Sequence, residues 1–296
     1  MSKVVVPSIT LARRQAVSRR RWSAWRRFRR NRMCIVSLVW LMVVALAAII
    51  IPWVAPDGET HVNAYVANQG PSWNFPFGTD NIGHNMLSQN LYALRYSLAI
   101  GALATFIAFI LGSVIGLIAG MTGGWVDQAL MRVTDFMFAF PCFYLVMFLV
   151  ADLGRTIFAL SLSFGFVQWA GFARLVRGHT LALRNGELVE SARAIGARPG
   201  YIAVSYIFPN VVNSLIVFAA FSISNMMVQE AVVSFMGFGL PLPKPSFGML
   251  LITGARDLFG FPWLFWGPAV LFITTLMALI FVGDGLQEAL DVKEVQ

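Results

Sequence analysis

Few side chains in this sequence have the types and spacing that enzyme chemistry requires. The three histidines, His61, His84 and His179, are scattered, and no acidic or thiol side chain stands three or four residues from His179 to complete a metal site. Cys34 and Cys142 lie in apolar runs, where a lone thiol is usually a packing residue. The sequence has no glycine-rich phosphate loop and no nucleophile paired with a base. We therefore expect no catalytic, metal or cofactor site, and a partner that supplies the energy for any work.

The chemistry that remains is docking, and the polar segment 177–209 is suited to it. The stretch 177–206 is too long for a simple turn and too polar for a bilayer, so we expect it to fold in the cytoplasm. Residues 187–195 predict a short helix, and Gly196 provides a stop and a turn that glycine adopts without strain. Pro199 is placed to start a second helix.

Two interpretations of this segment are open at this point. Glu190, Arg193 and Arg198 lie on a short element that suits insertion into a groove on another protein. The same pattern also suits an amphipathic helix that rests on lipid headgroups.

The composition predicts an all-α polytopic membrane protein. Of 296 residues, 58% are hydrophobic and only 12% are charged, and this length accommodates about six helices of roughly 20 apolar residues each. The six spans are predicted at residues 34–54, 92–120, 131–151, 156–175, 211–235 and 263–282. They leave a basic segment at 1–33, an outer loop at 55–91, a five-helix core at 92–285 and a tail at 286–296.

The positive charges predict the orientation. Eleven Lys and Arg residues precede the first span, whereas the loop 55–91 contains none. By the positive-inside rule both termini are expected in the cytoplasm and this loop outside. The net charge of +8 would also suit a nucleic-acid arm, but arginines placed directly before a span are accounted for by orientation and by attraction to anionic lipids. We expect no nucleic-acid binding.

Polar residues inside the fifth predicted span have two possible roles. Glu230, with Asn225 and Gln229 nearby, would be costly facing lipid and should face the bundle interior, a partner or water. It could lie on a substrate path. It could instead pin a re-entrant turn at Gly237-Phe238-Gly239, the interpretation we favour, because backbone that leaves a helix at membrane depth needs internal partners.

Two further patterns predict helix contacts. Asp127, Arg132 and Asp135 predict a structural ion pair, either local, since Arg132 stands three residues from Asp135, or between helices. Small residues in the second span permit close approach of another helix, of its own bundle or of another subunit. These small residues are Gly101, Gly112, Gly116 and Gly120.

The docking segment resembles the coupling motif of ABC importer permeases, which is written Glu-Ala-Ala, three residues, Gly, nine residues, Ile-x-Leu-Pro. This sequence has Glu190-Ser191-Ala192, then Gly196 at the same spacing, then Tyr206-Ile207-Phe208-Pro209. Ser191, Tyr206 and Phe208 depart from the family residues. The resemblance gives Glu190, Ala192 and Gly196 a central role in contacting the ATPase, with Ser191, Arg193, Arg198 and Pro209 in the same segment.

The resemblance extends over residues 25–292 and is greatest to the second permease of the dipeptide, oligopeptide and nickel branch. The matching stretches begin at Trp25, Phe77, Gly123, Phe172, Glu230 and Gly283. One departure stands in the outer loop, where the family usually has Leu-Gly-Arg-Asp and Leu-Ser-Arg. This sequence has Ile82-Gly83-His84-Asn85 and Leu87-Ser88-Gln89. Two arginines and an acid are therefore absent.

The resemblance implies the fold, the partners and the location. The fold is that of type I ABC importer permeases, with six spans and a cytoplasmic coupling helix between spans four and five. The partners are a different second permease, two ATP-binding subunits that use ATP and Mg, and an extracytoplasmic substrate-binding protein. The chain itself would hydrolyse nothing and would lie in a bacterial cytoplasmic membrane, in contact with lipid.

The resemblance implies di- or oligopeptides as the transported substrate, with nickel chelates, glutathione or another small solute as alternatives. A secondary transporter is a competing class, although such proteins usually show paired repeats and charges at the bilayer midplane. A membrane scaffold is the other competitor. It would share the docking segment but would show no ATPase stimulation by substrate.

Overall fold

The computed structural model describes residues 31–56 and 58–290. Most of the basic segment, including the motif that begins at Trp25, and the tail residues 291–296 lie outside the described residues. The ten α-helices of the described part are α1 (Arg32–Val54), α2 (Met86–Thr122), α3 (Gly124–Ala139), α4 (Cys142–Leu153), α5 (Ile157–Leu183), α6 (Glu187–Ala194), α7 (Pro199–Ile202), α8 (Phe208–Phe235), α9 (Phe247–Arg256) and α10 (Trp263–Leu290).

Five predicted spans are confirmed as continuous apolar helices. They are α1, α2, α5, α10 and the run Pro199–Phe235, which joins α7 to α8. Several extend beyond the predicted ends: α2 begins at Met86, where the Asn85 side chain caps it by accepting from the Leu87 N–H. Because α5 continues to Leu183, the first residues of the predicted docking segment belong to a span. The boundary predicted at residue 286 falls inside α10, which ends at Leu290.

The third predicted span, residues 131–151, is wrong as a single helix. The structure has two helices there, α3 and α4, bent by 91° at a short break. Pro141 has no backbone N–H, and its ring disfavours helical geometry at Phe140, which is extended at φ −87° and ψ 137°. The apolar run is continuous in sequence, but this proline divides it into two arms.

Helices α2 and α5 pack closely through the glycines of α2. A Cβ added at Gly116 would stand 2.5 Å from the carbonyl oxygen of Ala173, and one at Gly120 would stand 2.5 Å from the Thr180 Cβ. Gly165 of α5 makes a similar contact with α2, since a Cβ added there would stand 2.6 Å from the Ile107 Cβ. The small-residue pattern therefore serves a contact within the chain's own bundle. The core around it joins α2, α4, α5 and α8.

A turn follows α8 and leads to the short apolar helix α9. Gly237 takes a φ of +89° at the end of α8, and the backbone N–H groups of Gly237 and Phe238 bond back to the carbonyls of Ser234 and Val233. This pair of bonds is a Schellman motif. Helix α9 then packs against α8 and α10. The predicted turn at 237–239 is present.

The outer loop is held by other hydrogen bonds where the resemblance leads one to expect arginines and a further acid. His84 Nδ1 lies 2.8 Å from Asp80 Oδ2, and Asn85 caps α2. The Gln89 amide donates to the carbonyls of Gly58 and Glu59 at 3.1 and 3.3 Å. The departures at these positions therefore substitute one bonding pattern for another within the described part of the loop.

Candidate functional site

Helix α6 is the short helix that the sequence predicts, and its charges fit its ends. Glu187 and Glu190 lie in the first turn and Arg193 lies in the last. In these positions each charge interacts favourably with the helix dipole. Gly186 stands at the N-cap without a side chain to accept a hydrogen bond. At only eight residues, the helix depends on tertiary packing for its stability.

Gly196 ends α6 in the left-handed conformation, as expected. Its φ is +82°, its N–H bonds the Arg193 carbonyl, and the Ala197 N–H bonds the Ala192 carbonyl. These two bonds form a Schellman motif and satisfy carbonyls that the helix end would leave open. A Cβ at this glycine would meet nothing within 4 Å. Glycine is therefore required by the backbone angle and not by crowding.

One side of α6 is anchored to the bundle. Val189 and Ala192, three residues apart, are 3% and 2% exposed and join the core that contains α2, α5 and α8. Ile202 and Ile207 enter the same core from the connection to α8. This packing fixes α6 and the connection that follows it to the bundle.

The other side of α6 is open. Leu188 is 67% exposed and Ile195 is 82% exposed. Because they are seven residues apart, about two helical turns, they lie on the same face. Glu190, Ser191, Arg193 and Arg198 are exposed beside them. In the described part of the chain none of these three charged side chains forms an ion pair. The result is an apolar surface with an unpaired charged border, the anatomy of a protein-binding patch. We call these six residues the α6 outer face.

The connection from α6 to α8 accommodates a proline. Pro209, exposed at the start of α8, cannot donate to the helix ladder. The helix widens to a π-type turn at Ala203–Ile207, where the Phe208 N–H bonds the Ala203 carbonyl. The Asn210 amide donates to the Tyr206 carbonyl at 2.6 Å. Insertions of this type occur frequently at functional sites.

Ion pairs join α3 to α5 near the base of α6. Arg177 holds Asp127 through Nε to Oδ1 at 2.5 Å and Nη2 to Oδ2 at 2.7 Å. Arg174 holds Asp135 at 2.9 Å. The interhelical form of the predicted ion pair is therefore observed, and the local form is not: Arg132 makes no ion pair in the described residues. Both acids reach across to α5 because its arginines lie on the facing side.

Glu230 is fully buried, at 0% exposure. Its Oε2 accepts from Ser97 of α2 at 2.7 Å and its Oε1 from Ser234 at 2.6 Å. A Cβ at Gly239 would clash with this same Ser234 side chain, so the turn after α8 rests directly on it. This geometry supports the role of Glu230 in bracing the turn, and the carboxylate is fully buried with both of its oxygens hydrogen-bonded.

Asn225 and Gln229 belong to a polar cluster that sequence reasoning found only in part. The Gln229 amide donates to Asn225 Oδ1, and its own Oε1 accepts from the Cys142 thiol at 2.7 Å. The Gln168 amide lies 3.5 Å from the Cys142 sulfur. We call these four residues the amide–thiol ladder. Gln168, a single amide in an apolar run, and Cys142, beside the Phe-Pro pair, were the signals in the sequence.

Within the described residues, no group of three or more His, Cys, Asp or Glu side chains is arranged to hold a metal ion. The candidate functional sites are therefore the α6 outer face, which suits the docking of another protein, and the amide–thiol ladder, which is a cluster of polar side chains.

Two protein-family models match this chain. Residues 112–294 match the family described as the binding-protein-dependent transport system inner membrane component, and residues 20–71 match the N-terminal transmembrane domain of oligopeptide transport permease C. The oligopeptide transport system permease protein of Haemophilus influenzae is 35% identical over 274 residues, which is 92% of this chain and 88% of that protein.

Two glutathione transport system permease proteins are similar to the same extent. Those of Escherichia coli O157:H7 and Shigella boydii are each 36% identical over 270 residues, which is 91% of this chain and 89% of each of those proteins. The similarity therefore spans nearly the whole of this chain and of each relative.

Proposed function

This chain belongs to the inner-membrane permease family of binding-protein-dependent ABC importers, and from that membership we propose that it carries di- or oligopeptides across a bacterial cytoplasmic membrane together with a second, different permease. The oligopeptide permease relative and the match to the N-terminal domain of oligopeptide permease C support this substrate. The family accounts for the multi-pass helical architecture, with the third span divided at Pro141.

The α6 outer face carries the proposal for energy coupling. An exposed apolar surface bordered by unpaired charges requires a partner, and its other side is fixed to the bundle by Val189 and Ala192. We assign as its partner an ATP-binding subunit, one of two, that uses ATP and Mg. The assignment to an ATPase contact covers Glu190, Ser191, Arg193, Gly196, Arg198 and Pro209, which are exposed. The resemblance also gave Ala192 this role, but Ala192 is only 2% exposed and packs into the bundle instead.

The permease in this proposal is not itself an enzyme. ATP binding closes the two ATPase subunits, moves α6, and rocks the spans between inward-open and outward-open states. The Arg177–Asp127 ion pair and the close contact of α2 with α5 would carry this displacement as a rigid unit. A substrate-binding protein delivers the ligand to the outer loops.

We assign α6 and both termini to the cytoplasm, and the distribution of basic residues supports this assignment. The basic residues of the α5 end and of α6 lie at one end of the bundle, and the Arg184 side chain there bonds the Gly120 carbonyl at 3.1 Å. At the other end Arg155 donates to the Gly237 carbonyl at 2.7 Å. Positive charge is concentrated at the first end, as the positive-inside rule requires.

Glutathione is a second candidate substrate because two glutathione permeases are as similar to this chain as the oligopeptide permease is. It is itself a modified tripeptide, so the chemistry of its backbone amides resembles that of a peptide. The same path could accommodate both, and selection between them would then rest with the binding protein.

The experiment that tests this function is uptake in proteoliposomes. The chain would be reconstituted with its second permease, the two ATPase subunits and the cognate binding protein, and offered labelled dipeptides, oligopeptides and glutathione. We expect uptake of a peptide that needs ATP, Mg and the binding protein together. Uptake of glutathione alone would reassign the substrate, and robust transport by the isolated chain without ATP would contradict the whole assignment.

A further inference from the structure

Three of the four residues of the amide–thiol ladder stand at similar distances from the ends of their helices, and Gln229 lies one turn nearer the end of α8 than Asn225. Cys142 stands eleven residues from the end of α4 at Leu153, and Gln168 stands eleven residues from the start of α5 at Ile157. Asn225 stands ten residues from the end of α8 at Phe235. At roughly 1.5 Å per residue these separations are all about 15 Å. If the ends of α5 and α8 mark the edge of a hydrocarbon core about 30 Å thick, Gln168 and Asn225 lie near the bilayer midplane, and Cys142 joins them there through its hydrogen bonds.

The ladder also reaches the surface of the chain. Asn225 is exposed, and Gln229, Cys142 and Gln168 are partly exposed. An exposed amide at the middle of a span is costly against lipid, where nothing can hydrogen-bond to it. This part of the surface must therefore face water or polar groups of another molecule.

The bonding within the ladder leaves specific groups unused. Gln168 donates to the Cys142 sulfur, the thiol donates to Gln229, and Gln229 donates to Asn225. In the described residues the Nδ2 donors of Asn225 and the Oε1 acceptor of Gln168 have no partner. One end of the ladder thus offers a donor and the other an acceptor, which is the complement of a peptide unit.

The ladder is electrically neutral, and this fits a solute whose side chains vary. A fixed charge near the midplane would favour one substrate charge and repel another. Neutral amides bond to the C=O and N–H groups that every peptide has, whatever its side chains. The break at Pro141 opens α3 away from α4 immediately beside Cys142, so this surface lies where a span is interrupted.

We propose that the amide–thiol ladder lines the midplane section of the translocation path and hydrogen-bonds the main chain of the passing peptide. This inference rests on the proposed function. It assigns Asn225 and Gln168 as substrate-contacting groups, with Cys142 and Gln229 as the residues that position them. The competing role for the same face is a dry contact with the second permease.

The first arm of the test measures water access. Asn225→Cys and Ile273→Cys would be made with Cys34→Ala and Cys142→Ala, and the assembled complex treated with a membrane-impermeant cationic thiol reagent. Ile273 is an exposed apolar residue of α10, ten residues from Trp263, and therefore matches the depth of Asn225. We expect Asn225→Cys to react roughly tenfold faster, because hydrocarbon excludes a charged reagent, and peptide with binding protein to slow the reaction.

Native Cys142 provides a second reading that needs no substitution in this chain. The sequence has two cysteines, and Cys34 is buried at 0% exposure, so labelling of the unaltered chain reports on Cys142. If Cys142 is labelled and the addition of peptide slows this labelling, the result supports a position of Cys142 on the translocation path. Absence of labelling at both Cys142 and Asn225→Cys, in a complex that still imports peptide, would overturn the inference and leave the proposed function intact.

The second arm measures transport. Asn225→Leu should lower kcat/KM for uptake roughly fivefold, the size of one lost net hydrogen bond, whereas Asn225→Gln should restore most of it. Equal uptake by the Leu and Gln variants would count against substrate contact. If the unaltered complex imports no peptide at all, the proposed function fails first, and the two failures are distinguishable.

Discussion

Arg177 of α5 and Asp127 of α3 form a two-point ion pair, with Nε to Oδ1 at 2.5 Å and Nη2 to Oδ2 at 2.7 Å. This geometry matches the planar guanidinium fork to both carboxylate oxygens. It joins α3 to the C-terminal part of α5, from which the chain passes to α6 through three residues. In the proposed mechanism this ion pair, together with the packing of Val189 and Ala192, links α6 to the bundle.

Breaking this ion pair should loosen the link between α6 and the bundle. Arg177→Lys should lower the melting temperature of the complex by a few degrees, because an ammonium cannot make both bonds. Asp127→Asn should have a similar effect. A double-mutant cycle with Arg177→Leu and Asp127→Leu should give a coupling free energy of about 1 kcal/mol, modest because the arginine is partly exposed. Additive single effects would show that the two side chains do not interact.

Gly196 should be sensitive to substitution because of its backbone angle. Gly196→Ala should destabilise the end of α6 by about 1 kcal/mol, since an L side chain is strained at this positive φ. Gly196→Pro should be worse because proline fixes φ near −65°. The measurements are melting temperature and substrate-stimulated ATP hydrolysis in the assembled complex.

Gly178 provides the matched control for this prediction. It lies within α5, shows no positive φ, and a Cβ there would meet nothing within 4 Å. Gly178→Ala should therefore be neutral or slightly stabilising. If alanine at both glycines gave the same loss, backbone strain at the end of α6 would not be the reason.

The contact between α2 and α5 should not tolerate a larger residue in α2. Gly112→Val should prevent correct assembly of the bundle, because even a Cβ would lie 2.6 Å from the Trp169 carbonyl oxygen, which cannot move aside. Gly171→Ala is the control, since its Cβ would meet only the end of the Phe218 ring at 3.3 Å. Yield and size-exclusion profile of the purified complex would distinguish the two. Normal assembly with valine would contradict the close packing.

Glu230 should matter for stability through its two hydrogen bonds. Glu230→Gln keeps one acceptor and the shape of the side chain, and should retain much of the activity. Glu230→Leu should lower the melting temperature by several degrees, because it leaves Ser97 and Ser234 without their buried partner. A Leu variant as stable as the unaltered chain, but selectively deficient in uptake, would instead place Glu230 on the substrate path.

The sequence is informative where a local rule decides the structure. Gly196 and Pro199 mark the turn after α6 and the start of the next helix, because left-handed geometry and a missing N–H are local properties. Five spans follow from runs of apolar residues in the same way. Pro141 is a local signal of a break as well, but the apolar run at 131–151 by itself predicts one helix, and that prediction is wrong.

The contacts between distant residues were beyond local rules. Asp135 has an arginine three residues away at Arg132, yet it pairs with Arg174 of another helix, because the crossing of α3 and α5 decides which cation is near. The amide–thiol ladder likewise needs three helices to meet. Sequence spacing indicates Asn225 and Gln229 on one helix face, and the lone amide of Gln168 in an apolar run is a signal, but the spacing does not indicate that Gln168 meets them.

We propose that the α6 outer face couples ATP hydrolysis by the partner subunits to transport. The most direct measurement is peptide- and binding-protein-stimulated ATP hydrolysis by the reconstituted complex with Glu190→Lys, compared with Glu187→Lys. Both glutamates are exposed in the first turn of α6, so both changes perturb the helix dipole alike. We expect Glu190→Lys to abolish most of the stimulation in an assembled complex and Glu187→Lys to retain it. Unchanged stimulation with Glu190→Lys, or an equal loss in both variants, would contradict the assigned role of Glu190.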